Sequence, residues 1–336
     1  MPISAAARLI HPPSLIFELQ TPLLVTCLLG KAAEMFRRVL LVFILSLSVA
    51  MCGNDVKDAE VLDYRVSLPE SDPAYLDLIP PEVVIPAHTE RMYCYYMTHQ
   101  GDDLAVSTLE AKQGPFGHHL ALLKATQVQE DGLLEDCTDE SAMGDLRTFV
   151  LPGIELPSSH AIKVTAGEQF VLQFHYVNAG RQDIRVRDLA RLKLVDAATT
   201  DTWVNTFTTN SALVSVPAQS SGTVEFDCVL SESLNLLVVG GHMHEFGTRF
   251  DLAYGQSANT LTSIYNVDPW ISQFRDSPPV TAMLSEPMFL EAGFLVRTSC
   301  AWTNATESDV AFPAEMCSAF GYLSGSSNPF HCEETK

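Results

Sequence analysis

From Pro80 onward, apolar and polar residues alternate over short stretches that are punctuated by proline, glycine and small polar residues. "PPEVVIPAHTERMYCYYMTHQ", "HHLALLKATQV", "AIKVTAGEQFVLQFHYVN", "ALVSVPAQSSGTVEFDCVL", "LNLLVVGGHMH", "RFDLAYG" and "FLVRTSCAWTN" all follow this rhythm. A period of two with β-branched and aromatic enrichment predicts strands, and no long stretch has the 3.6-residue period of an amphipathic helix. Many short strands separated by turn signals predict an all-β protein, here two consecutive antiparallel jelly-roll or β-sandwich domains. The composition shift at "DAATTDT", Asp196 to Thr202, is the expected boundary. It divides the chain into a leader (1–55), a tether (56–79), an N-terminal domain (80–200) and a C-terminal domain (201–333), with both domains of ordinary size. No convincing sequence repeat relates the two halves.

The leader changes the picture of where the protein works. "MFRRVLLVFILSLSVAMCGND" starts at Met35 with two arginines, continues as an apolar run and ends at Cys52 before polar residues. That is the layout of a secretory signal, and Met35 is a candidate true start. Its end is similar to a bacterial lipoprotein signal with Cys52 as the lipidated residue, although Met51 stands where a small residue is expected. The alternative is a retained membrane anchor, for which the run is short. The expected location is therefore exported: periplasmic, outer-membrane lipoprotein or secreted. The membrane would be met only through a lipid on Cys52. Cysteine usage agrees. Outside the leader region stand Cys94, Cys137, Cys228, Cys300, Cys317 and Cys332, with no CxxC pair, so three disulfides in an oxidising compartment are expected. Spacing alone leaves their connectivity open. A formal net charge of −21 argues against nucleic acid as a partner, since phosphate neutralisation needs surface Lys and Arg.

The candidate chemistry lies in the histidines. His242 and His244, in "GGHMHEFG", are two residues apart and so share one face of a strand. Two neutral imidazoles side by side suit a metal better than a core, and a soft third ligand would favour copper. Glu245 falls on the opposite face. His118 and His119 are adjacent and face opposite ways in a regular strand. They meet at one metal only if a bulge or twist turns them together, a distortion that Gly117 makes cheap. His175 alone reads as easily as a hydrogen-bonded core histidine, with Gln173 on its face to orient a ligand or water. Asn304-Ala305-Thr306 is a potential glycosylation sequon.

In order along the chain, these segments resemble the copper type II, ascorbate-dependent monooxygenases, the family of dopamine β-monooxygenase and peptidylglycine α-hydroxylating monooxygenase. "VVIPAHTERMYCYY" is similar to the family's opening strand, "GHHLALL" to its His-His strand and "LQFHY" to its third histidine. "HMH" resembles its His-x-His pair, and "EMCSAFGYL" (Glu315 to Leu323) its Glu-Met-Cys motif. The resemblance runs from about Pro80 to Cys332. It implies two coppers per chain: an electron-transfer copper on His118, His119 and His175, and a catalytic copper on His242, His244 and Met316. It also implies disulfides Cys94–Cys137, Cys228–Cys332 and Cys300–Cys317, the last fixing the segment that carries Met316. The implied reaction is hydroxylation of an activated C–H bond with O2 and a small reductant such as ascorbate. One oxygen atom enters the product and the other leaves as water. The amidating enzymes carry arginine two residues before the His-x-His pair, and Asn and Tyr just after the Met-Cys. Here Gly240, Ser318 and Phe320 take those positions, which argues against peptide amidation and for a neutral or apolar substrate. Two other expectations stand beside the enzyme: an exported copper-binding or electron-transfer protein on the same scaffold without turnover, and a structural surface protein with incidental histidines.

Overall fold

The computed structural model describes residues 61–139, 146–312 and 314–334. The leader, with Met35 and Cys52, lies outside the described residues.

Among the described residues the chain is built of β-strands, with 3-10 turns at Ala197–Thr199 and Ser272–Arg275. The alternation seen in the sequence is the alternation of burial: along Leu295–Asn304 every second residue is buried. Gln169–Asn178 is different. Nearly every side chain of this strand is buried, as expected for a strand paired on both edges, with Thr89–Thr98 on one side and Gly117–Ala125 on the other. Pairing is mainly antiparallel, but Thr202–Ser211 runs parallel to both His160–Val164 and Phe330–Glu334, and Leu62–Asp63 runs parallel to Ile184–Val186. Through Thr202–Ser211 a single ten-stranded sheet continues from the first half into the second. A five-stranded sheet faces it in the first half, across a core that includes Leu109, Leu122, Phe170 and Leu192. A four-stranded sheet does the same in the second half, across Phe207, Leu236, Phe250 and Trp302. Two strands, Leu62–Asp63 and Tyr75–Leu78, fall within the stretch expected to be a tether, because the apolar positions Leu62, Leu76 and Leu78 give it a face to bury.

The halves repeat each other, which the sequence reading missed. Strands Leu104–Lys112 and Gly117–Ala125 correspond to Leu234–His242 and Gly247–Gly255, with identical lengths and an offset of 130 residues at both. Thr89–Thr98 and Gln169–Asn178 correspond to Ser220–Val229 and Leu295–Asn304. The same device closes each half. Asn178 Nδ2 donates to the carbonyls of Ile85, Pro86 and Gln182, and Asn304 Nδ2 donates to those of Val216, Pro217 and Ser308. Ala87 N donates to Asp183 Oδ1 and Ala218 N to Asp309 Oδ1. His88 and Gln219, in matching Pro-Ala-x turns, both take positive φ, 55° and 52°. Asn304 is thus a buried turn lock with its amide fully engaged, a poor acceptor for a glycan in the folded chain.

Three disulfides join Cys94 to Cys137, Cys228 to Cys332 and Cys300 to Cys317, which are the pairs the resemblance implies. Such bonds suit an extracellular or otherwise oxidising compartment.

Candidate metal centre

The first group of histidines is assembled by an irregularity. In the pairing of Gln169–Asn178 with Gly117–Ala125, His175 faces His119 while Tyr176 faces Gly117, so His118 is the extra residue of a bulge. The bulge turns adjacent histidines to one side, and a side chain at Gly117 would meet Gln113 Cβ at 2.6 Å. All three imidazoles direct Nδ1 inward. A carboxylate that sequence reasoning missed joins them: Asp276 Oδ2 lies 3.0 Å from His118 Nδ1, and its Oδ1 lies 2.9 Å from His119 Nδ1 and 3.7 Å from His175 Nδ1. One ligand atom from each of the four residues falls within 4.8 Å of every other, so the group can hold a metal ion. Two of the outward nitrogens are occupied. His175 Nε2 lies 2.7 Å from Glu90 Oε1, and His119 Nε2 lies 3.2 Å from Gln173 Oε1. His175 is buried, and its Nδ1 has no hydrogen-bond partner. Burial alone would raise the Asp276 carboxyl, but the imidazoles of His119 and His175 outweigh it and hold it well below the usual range.

The second group needs no bulge. His242 ends the strand Leu234–His242, and His244 lies in the turn beyond it, with their Nε2 atoms 3.1 Å apart. His244 Nδ1 faces the carbonyl of Ala314 at 3.1 Å, which makes it the protonated nitrogen and leaves a lone pair on Nε2. Burial first, and then the neighbouring imidazoles, lower His242 to about 3; burial and the Arg275 charge lower His244 to about 4. Both imidazoles are therefore neutral, as ligands must be. Buried Glu315 accepts from the backbone N–H of His244 (2.5 Å), Met316 (3.0 Å) and Phe246 (3.1 Å), fastening the histidine turn to the methionine segment. Burial raises its carboxyl despite these donors. Met316 is buried beside the disulfide-bonded Cys317.

A cavity of about 430 Å³ is lined by His119 and Asp276 of one group and by His242, His244 and Met316 of the other. Leu120, Leu122, Val150, Leu151 and Phe320 supply apolar wall. A Cβ at Gly240 would fall 2.6 Å from the Phe320 ring, so this position admits no side chain with Phe320 in place. Arg275 lies between the groups, its Nη1 2.5 Å from Glu245 and its Nη2 3.9 Å from Glu90. Glu245 is exposed and pairs with Arg275.

No family model matches the chain, and no curated protein does. Among solved structures it is similar to the infectious bursal disease virus Gx strain, with 8% identity over 81% of this chain and 77% of that one and a TM-score of 0.20. The VP2 subviral particle of the same virus gives 8% identity over 78% and 74%, with a TM-score of 0.19. Likeness this low carries no argument about fold or function.

Proposed function

We propose that the chain is a copper-dependent monooxygenase: two jelly-roll sandwiches in series (80–200 and 201–333), each with one mononuclear copper. It would hydroxylate an activated C–H bond of a neutral, apolar substrate with O2 and a small reductant such as ascorbate. The observation that carries this reading is that one cavity is lined by His242, His244 and Met316 and also by His119 and Asp276 of the first group. The second group pairs two imidazole nitrogens 3.1 Å apart with a methionine on the same cavity wall, residue types whose donors fit copper in both oxidation states. The buried His175 Nδ1, with no hydrogen bond and Asp276 Oδ1 3.7 Å away, is the corresponding fit in the first group.

In this reading His118, His119 and His175 hold the electron-transfer copper, and His242, His244 and Met316 hold the catalytic one. Copper bound at these groups would supply dioxygen activation and a second electron. The chain supplies the rest. Ala314 O and Glu315 hold His244 and Met316 in place, and Gln173 and Glu90 orient His119 and His175 from behind. The leucine, valine and phenylalanine walls exclude water and receive an apolar substrate. The arginines at the cavity are already opposed by acids, Arg147 by Glu333 at 3.5 Å and Arg275 by Glu245, and Phe320 fills the space above Gly240. A peptide carboxylate would therefore have to compete with these acids for either arginine. An exported copper-binding or electron-transfer protein would need only one of the two groups, so the separate thioether site favours the enzyme.

The test is dioxygen uptake by copper-loaded protein with ascorbate and a panel of neutral aromatic and aliphatic C–H donors. Substrate-dependent uptake, with isotopically labelled oxygen in the product, is the expected result, and Met316→Ala should abolish it while sparing copper on the first group. Two bound coppers with no coupled uptake across the panel would favour the carrier.

A further inference from the structure

We propose that Asp276 is itself a metal ligand: the first group is a four-donor site of three imidazole Nδ1 atoms and one carboxylate, which takes a divalent ion and in doing so fastens the two halves together. This deepens the functional reading above and rests on its metal-binding part, not on turnover.

The case begins with convergence. One ligand atom from each of His118, His119, His175 and Asp276 lies within 4.8 Å of every other, in a place where His175 is 1% exposed and the Asp276 side chain 9%. Behind them Glu90 faces His175 Nε2 and Gln173 Oε1 faces His119 Nε2, acceptors that can take the imidazole protons and free the inward nitrogens for an ion. An ion held there would replace the contacts that His118 and His119 Nδ1 make with Asp276. The orphaned His175 Nδ1 marks where it would sit. Outward acceptors on the distal nitrogens are the usual support of metal-bound histidines.

The position of Asp276 is built, not incidental. It follows the 3-10 turn Ser272–Arg275, where Phe274 N donates to Ile271 O and the Phe274 ring packs edge-on against buried Trp270. Its neighbour Arg275 reaches Glu245 of the second half and Glu90 of the first, and Glu90 is the residue behind His175. The carboxylate spans the group, one oxygen toward His118 and the other toward His119 and His175. Three of these donors come from the first half and the fourth from the second, so an ion held by all four ties the Ser272–Asp276 segment to the first sheet. A carboxylate also makes the site harder and closes its fourth position. Of the two oxidation states of a bound copper, the divalent one is the one this site holds more tightly, and Zn(II) is a redox-silent probe of it.

The experiment uses the full chain carrying His242→Ala and His244→Ala, which leaves the first group alone, with Zn(II) titrated in competition with a chromophoric chelator. One zinc per chain is expected. Asp276→Asn, nearly isosteric, should weaken it by about 10- to 100-fold, and Asp276→His should restore it by returning a fourth donor. Zinc should raise the thermal midpoint of the parent more than that of Asp276→Asn. Zinc bound equally well by parent and Asp276→Asn would overturn the proposal while leaving a three-histidine site intact. No zinc bound by the parent would overturn it together with the metal reading of this group. If the double alanine background does not fold, the same competition on the otherwise unaltered chain reads the same point: one of its zinc equivalents should weaken by about 10- to 100-fold in Asp276→Asn, and unchanged affinities overturn it. Neither failure touches the second group, which Met316→Ala tests separately.

Discussion

The hairpin Leu104–Lys112/Gly117–Ala125 and the hairpin Leu234–His242/Gly247–Gly255 share arm length and turn spacing and have matching partner strands, yet they present histidines at different points. In the first, the donors come after the turn, are brought to one side by a bulge and meet His175 on the neighbouring strand. In the second, they stand at the end of the leading arm and within the turn, and meet a segment preceding a different strand. Their supports differ as well. Side chains (Glu90, Gln173, Asp276) surround the first group, whereas backbone groups locked by Glu315 and a disulfide support the second. One scaffold repeated can thus carry one site that is adjustable by single side chains and another that is inseparable from the fold.

That contrast can be broken. Replacing both cysteines of Cys94–Cys137 with serine should cost about 4 kcal/mol and replacing both of Cys300–Cys317 about 3 kcal/mol, from the loop lengths they close. Only the second loss should also release metal from the second group, read by urea unfolding together with metal retention. Glu315→Gln removes the charge from an acceptor of three backbone N–H groups and should cost about 2 kcal/mol. It should weaken metal at the second group and leave the first unchanged, a split visible by titrating each group in the absence of the other. Asn178→Ala and Asn304→Ala should each cost about 1 to 2 kcal/mol, equally and additively, if the two turn locks are equivalent. A large inequality in denaturant midpoints would mean that the repeat is geometric only.

Without metal, stability should also depend on pH. His242 and His244 sit at about 3 and about 4 in the folded chain, whereas unfolded histidine titrates near about 6.5. The unfolded state therefore binds more protons between these values, and stability rises with pH there. The contribution is complete above about 6.5 and is lost as pH falls toward about 4. A chelated sample should show its urea midpoint falling from pH 7 to pH 5, less steeply in His242→Gln.

Strand positions were legible because burial alternates with the residues: Leu295–Asn304 is an example, and Gln169–Asn178, buried at nearly every position, is the exception. His242 and His244 do meet, as a period of two suggests, but His244 stands in the turn beyond the strand, so the turn and not strand alternation brings it there. His118–His119 was legible only conditionally, since the bulge at Gly117 belongs to the pairing with another strand. Asp276 had no signal. It sits in "RDSPP" between strands, 157 residues from His119, and only the fold brings them together. The repeat escaped notice because what recurs is the turn locks, Pro-Ala-x and Asn with Asp, whereas the strand side chains between them differ. The role of Asn304 was hidden for the same reason: a sequon is a triplet, and the demand on its amide comes from residues 216, 217 and 308.

The central claim is that two unlike metal groups share this chain. Its most direct test is copper stoichiometry on leader-free protein, reduced and examined by X-ray absorption for sulfur ligation. Two coppers per chain, one with a sulfur neighbour that disappears in Met316→Ala, are predicted. A single copper, or two with no sulfur neighbour, would contradict it.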